Sequence, residues 1–269
     1  MIMIRMRMMV TMIEMMMILL ELMMVTMIEM IMILIEMMMI LLNSFLSGNP
    51  ELRLALNEDL VIGKGSRAYG SVVLDDCNFH ECVNLDEFES SRTIHFLPPD
   101  GEFAVLNYRI TADYKPPFKL YPSIEDSGTY KIDVIIVVRA EFPESNYGSN
   151  ISIRLPVPRA TVGAVAEFST DSPGCVGEYN SVEKKVVWSI RKFTGASEVC
   201  IRARITLDSI VTQAHKRELG PVSMVFEVPM FNVSNLQVRY LRISETHKSY
   251  NPCRWVRYIT QSTSYICRL

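Results

Sequence analysis

Residues 130–142 read YKIDVIIVVRAEF, a dense run of valine and isoleucine edged and interrupted by charge. In an extended chain successive side chains point to opposite faces, so such a run suits a pleated strand with a buried side. Further stretches share this character: EFAVLNYRIT (102–111), ISIRLPVPR (151–159), KKVVWSIRKF (184–193), EVCIRARITL (198–207), PVSMVFEVPMF (221–231) and LQVRYLRI (236–243). They are rich in Val, Ile, Phe and Tyr, alternate apolar with polar, and are separated by Gly, Pro, Asn, Asp or Ser. No segment sustains a 3.6-residue period. Many short strands without crossover helices imply an all-β chain built as an elongated antiparallel sandwich. Exposed loops are expected at 144–150 and 208–219.

The first 42 residues have another character. Seventeen of the 19 methionines fall there, MMVTMIEM (8–15) recurs unchanged at 23–30, and the run is almost wholly Met, Ile, Leu, Val and Glu. A membrane-spanning helix needs about 20 apolar residues with few charges. Glu14, Glu21, Glu29 and Glu36 interrupt the run, each costing about 2.5–3.5 kcal/mol near a bilayer centre. A signal peptide is disfavoured because Glu14 breaks the apolar stretch and no clear cleavage site follows. The four glutamates fall in one arc of a helical wheel, but the remaining apolar face is too wide to stay solvated alone. A drifting trinucleotide repeat explains the composition, so 1–42 is taken as low-complexity sequence without assigned function.

Beyond residue 42 the composition is that of an ordinary soluble domain. The net charge of −3 and pI of about 5.9, with no dominant block of Lys and Arg, give no support to a nucleic-acid partner. Six cysteines without a CxxC, in a chain of this length, favour free thiols in a reducing compartment. The tripeptides Asn150-Ile-Ser152 and Asn232-Val-Ser234 match the glycosylation sequon, which arises often by chance. No phosphate-loop, dinucleotide, zinc-protease or nucleophile-elbow motif occurs. IGKGS (62–66) lacks the Ser or Thr of a phosphate loop and reads as a turn. In DDCNFHEC (75–82), strand alternation turns Cys77 away from His80 and Cys82, which argues against a metal site. Neither catalytic residues nor a cofactor are expected.

Near the end, RWVRYITQS (254–262), read as a strand, puts Trp255 and Arg257 on one face and Val256 and Tyr258 on the other. An indole beside a guanidinium fits core packing with a solvated charge, or a surface for another polypeptide. Five stretches carry a wider resemblance: FLSGNPELRLALNEDL (45–60), LDDCNFHECVNLDEFESSRTIHFLPPDGEFAVLNYR (74–109), GPVSMVFEVP (220–229), LQVRYLRI (236–243) and NPCRWVRYITQSTSYICRL (251–269). In this order they resemble the mu-homology domain of clathrin-adaptor medium chains, over essentially all of 43–269. The LDDCNFHE block and the NPxRWVRYxTQ ending are most similar to the branch of the fourth adaptor complex.

The resemblance implies a domain over 43–269 with two subdomains: about 43–122 with 231–269, and about 123–230 inserted between them. It implies recognition of tyrosine-based sorting signals in the cytosolic tails of transmembrane cargo, by strand addition. Trp255 and Arg257 match positions flanking the tyrosine and the following apolar residue; Val238, Leu241 and Val256 match the apolar pocket. Asn43 stands where the family has a pocket lysine. The family's first strand, with an aromatic and an aspartate, and its N-terminal longin-like domain have no counterpart here. A second face is implied at Phe79, Glu89 and Asn107, with Arg109 substituting for an arginine found in relatives; Phe79 as core and Glu89 as a solvated charge is the competing reading. Implied partners are cargo tails and other adaptor subunits, with peripheral membrane contact through Lys184, Lys185, Arg191 and Lys192 weighed against simple solvation. The implied setting is the cytosolic face of trans-Golgi or endosomal membranes and coated vesicles. The alternative is a truncated structural sandwich that mediates protein contacts without reading sorting signals.

Overall fold

The computed structural model describes residues 37–44, 46, 48–63, 71–110, 115–169, 174–244 and 256–269. The first strands are β1 (Met37–Ser44), β2 (Glu51–Leu56), β3 (Val61–Ile62), β4 (Val73–Leu74), β5 (Asp76–Phe79) and β6 (Val83–Asn84). After the short helix α1 (Phe88–Ser91) come β7 (Thr93–Phe96), β8 (Gly101–Arg109), β9 (Phe118–Gly128), β10 (Lys131–Ala140) and β11 (Tyr147–Pro156). Next are β12 (Thr161–Phe168), β13 (Cys175–Asn180), β14 (Lys185–Thr194) and β15 (Glu198–Leu207). Helix α2 (Gln213–Glu218) then precedes β16 (Val222–Pro229), β17 (Val238–Ser244) and β18 (Ile259–Cys267). The fold is all-β, as the alternation implies, and its larger sheets are antiparallel.

Two sheets with the orders β1-β8-β5 and β17-β2-β7-β6 enclose one core. Leu52, Leu54, Leu56, Ile94, Phe96, Val105, Leu106 and Tyr108 form its centre, and Val238, Leu241 and Ile243 pack against it partly buried. On β17 a bulge between Val238 and Tyr240 restores Val238 to the same inward side as Leu241 and Ile243, which plain alternation would deny it. Two larger sheets, β12-β15-β10-β9 and β13-β14-β11-β16-β18, hold the remaining strands except β3 and β4, which form a two-stranded parallel pair. Phe118 on β9 meets Phe142, Phe193 and Phe226 edge-on at 5.2, 5.4 and 5.0 Å between centroids. Its ring therefore lies between β9 and the sheet of β14 and β16, and like Trp188 it is fully buried. On β11, Asn150 adopts φ +52°, where an extra residue enters the ladder, so burial shifts from Gly148 to Ile151, Ile153 and Leu155.

The structure departs from the expected boundaries. The strand bearing Asn43 begins at Met37, inside the segment set aside as low-complexity, and pairs along its length with β8. Met39 to Leu42 alternate between exposed and partly buried, and the methionine-rich surroundings hid this. The final strand β18 pairs with β16, in the sheet of the inserted group, not with the first group as 231–269 was assigned. Arg254 and Trp255 lie outside the described residues, and of the remainder of RWVRYITQS residues 256–258 are not strand, which begins at Ile259. The expected loop at 144–150 gives way to β11 at Tyr147, and the one at 208–219 contains α2, whose Thr212 hydroxyl caps the His215 N–H.

Candidate functional site

Pro229 closes β16, and Met230 follows at φ +57°, turning the chain away. Across the ladder Pro229 pairs with Ile259, and the Met230 N–H donates to the Tyr258 carbonyl at 2.7 Å. The Tyr258 hydroxyl accepts the Val238 N–H at 3.2 Å. One residue thus ties the start of β17 to the end of the β16–β18 pair. Beside it Met230, Val256 and Ile259 stand 60%, 44% and 43% exposed. Single exposed apolar side chains need no explanation, whereas three beside one pinned turn are taken together as a candidate apolar ledge.

Arg257 flanks the ledge. Its Nη2 lies 3.4 Å from Glu227 Oε1, and the guanidinium is 46% exposed. A pair this open contributes about 0–1 kcal/mol, so an incoming group can redirect the arginine at little cost. Val238 and Leu241 lie on the inward side of β17. Val238 reaches the ledge through Tyr258; Asn43 is exposed on β1, opposite Glu102, in a different sheet. Trp255 lies outside the described residues. Tyr258, which sequence reading treated only as a face-mate of Val256, organises the site, and its contacts are too distant in the chain to leave a local signal.

The second set is not brought onto one face. Phe79 opposes Leu106 on the side facing the core, and its ring meets Phe88 edge-on at 4.9 Å. Asn107 opposes Asn78, and Arg109 opposes Asp76 on the other side of the sheet, with a 2.6 Å ion pair. Glu89, on α1, is 93% exposed and 3.9 Å from Arg92. Of the basic residues considered for membrane contact, Lys184 donates to the Thr161 carbonyl, Lys185 pairs with Glu183, and Lys192 sits over the Tyr147 ring.

His80 Nδ1 and Cys82 Sγ approach to 3.2 Å, and Cys77 and Cys82 both pack partly buried against the core. Burial raises the Cys82 thiol above its ordinary pKa, which keeps it protonated and a poor nucleophile. Among the described residues no three His, Cys, Asp or Glu side chains gather as a metal site, and no helix is long and apolar enough to cross a membrane.

The model of the adaptor complexes medium subunit family matches residues 38–269. The chain belongs to this family. The AP-4 complex subunit mu of Arabidopsis thaliana is 46% identical over 236 residues, 85% of this chain and 52% of the relative. The AP-1 complex subunit mu-2 of Mus musculus is 37% identical over 84% of this chain and 52% of its own length. This medium-subunit chain thus spans about half the length of the curated relatives it matches. Among structures, a homology model of the full-length AP-3 complex aligns at a TM-score of 0.55 and 18% identity, over 84% of this chain and 60% of the other. The yeast delta-COP-I mu-homology domain complexed with a Dsl1 WxWxV peptide aligns at 0.50 and 15% identity, over 71% and 73%. At these identities the likeness speaks for the mu-homology fold alone.

Proposed function

We propose that this medium-subunit chain is a cargo-reading, non-catalytic module. It binds tyrosine-based sorting signals in cytosolic tails of membrane proteins, on the cytosolic face of trans-Golgi or endosomal membranes, for vesicle-mediated transport. The observation that carries this reading is the Tyr258 pin, which holds exposed Val256 and the weakly paired Arg257 beside Val238 at the start of β17. An apolar ledge next to a movable guanidinium suits a short extended peptide with an aromatic and a bulky aliphatic side chain. The ledge takes the aliphatic group, and the arginine lies against the phenol. Medium subunits in adaptor complexes, and a mu-homology domain with a bound peptide among the structural relatives, support partners of both kinds: other adaptor subunits and peptides. The Phe79 face is the weaker candidate, because Phe79 turns inward while Asn107 and Arg109 turn outward.

Isothermal titration calorimetry on the full 269-residue chain tests this. A decapeptide with Tyr-x-x-Leu binds with a Kd of about 1–100 μM, and its tyrosine-to-alanine version at least about tenfold more weakly, 1.4 kcal/mol. Val256→Asp and Arg257→Ala each weaken the tyrosine peptide by a similar factor. A folded chain that yields no heat with the tyrosine peptide, or binds both peptides equally, overturns the reading.

A further inference from the structure

We propose a second docking surface: the solvent face of β17 and β2 takes a side-chain carboxylate of an extended peptide from a partner protein, held between Arg53 and Arg242. The ladder sets these two arginines directly opposite each other, so both side chains leave the same face of the sheet. Both are exposed, and among the described residues neither lies within ion-pair distance of a carboxylate. The neighbouring carboxylates are engaged elsewhere. Glu51 and Glu87 hold the two ring nitrogens of His95, at 3.3 and 2.8 Å, and Glu58 holds Arg239.

Like charges directly opposite on a ladder destabilise it. Two exposed guanidinium groups rooted directly opposite each other on the ladder are relieved by an oxyanion placed in the gap between them. Tyr240 supplies the wall of the gap: it is the next residue on the same side of β17, and the Arg242 guanidinium lies 4.8 Å from its ring centroid. Arg239 approaches the same ring at 5.9 Å while donating to the Ser91 carbonyl, and the hydroxyl reaches Thr93 at 3.5 Å. Beneath lie the small residues Ala55 and Thr93, both buried, so the surface is a ledge with a floor and not a projection. It is separate from the Tyr258 ledge, since Val238 and Leu241 point the other way from β17.

Charge decides between a peptide and a membrane as the occupant. Glu51, Glu58 and Glu87 are exposed around the arginine pair, with side chains 44%, 78% and 53% accessible. A sheet of anionic headgroups would press on these carboxylates, whereas a peptide strand delivers one carboxylate to the gap and leaves them hydrated.

The test uses the full chain and a fluorescent, tyrosine-free decapeptide with glutamate at alternate positions, against its glutamine counterpart. The glutamate peptide binds at least about tenfold more tightly. The Arg53→Gln/Arg242→Gln double variant removes that preference, and Arg257→Ala leaves it intact, which separates this surface from the tyrosine-signal ledge. The double variant melts no lower than the parent, because a like-charge contact has been removed. Phosphatidylserine vesicles sediment the parent and the double variant alike. Equal binding of both peptides, an undiminished preference in the double variant, or vesicle binding lost only in that variant overturns the proposal.

Discussion

The Tyr108 hydroxyl lies 2.9 Å from the Ser234 hydroxyl, joining β8 to the turn that leads into β17. Ser234 spends its own proton on Asn232 Oδ1, at 2.7 Å, and accepts the Leu236 N–H at 3.2 Å. Tyr108 is therefore the donor, and every hydrogen-bonding capacity of this buried serine is used. Tyr108→Phe is expected to cost about 0.5–1.5 kcal/mol in urea unfolding. Ser234→Ala strands the Tyr108 hydroxyl and the Leu236 N–H at once and is expected to cost more, about 1–3 kcal/mol. Equal stability of both variants with the parent would show that the turn has other support.

The same phenol sets an alkaline limit. Burial pushes Tyr108 above its ordinary pKa near 10.0, so the folded chain holds that proton more tightly than the unfolded one. The corresponding stability is present in full below the unfolded value and drains away as pH rises through the raised one. The thiols of Cys77, Cys82, Cys175 and Cys267, all raised first by burial, act in the same direction from pH 9.0 upward. Urea midpoints measured from pH 8 to 11 should fall with pH, and Tyr108→Phe should flatten the upper part of that curve.

Phe118 touches three aromatic rings, Phe193 and Phe226 of one sheet and Phe142 of the loop after β10, and is fully buried. Phe118→Ala leaves a cavity between the sheets and is expected to cost about 3–5 kcal/mol. Leucine at 118 should recover part of the loss, because the site asks first for volume.

Two glycines make a matched pair. A Cβ on Gly195 would meet the Pro143 carbonyl oxygen at 2.0 Å and that of Phe142 at 2.7 Å, main-chain atoms that cannot swing aside. A Cβ on Gly163 meets nothing within 4 Å. Gly195→Ala is expected to destabilise by about 1–3 kcal/mol or more, and Gly163→Ala to stay within about 0.5 kcal/mol of the parent. Thermal melts of the two proteins side by side read the difference.

Arg109 and Asp76 form a close pair that is nonetheless open to solvent, 37% and 52% exposed. Arg109→Ala should therefore change stability by less than about 1 kcal/mol, and the small effect should shrink further in high salt.

Much of the architecture was legible because period-two alternation survives wherever one face is buried, as in β8, β10, β14, β15, β16 and β17. Less legible were β12 and β13, where glycine and alanine blur the contrast, and β9, whose Pro122 and acidic tail obscure it. β1 was hidden by its methionines. At the candidate site, Val238, Val256 and Arg257 were named from the family resemblance, whereas the Tyr258 pin was not foreseen. Its two bonds join segments 20 and 28 residues apart in the chain, and no local pattern encodes them. The sequon at Asn232 has a local explanation: Asn232 Oδ1 accepts the Ser234 N–H at 3.1 Å, an Asx turn whose side chains serve the fold.

Tyr258 belongs to neither of the ladders it connects. Its hydroxyl is held by the sheet containing β17, its carbonyl by the strand end of β16. Any tilt of one sheet against the other must stretch one of those two bonds, and Val256 and Arg257 sit immediately before it in the chain. On the function proposed above, a peptide seated beside Tyr258 is in register with both sheets at once.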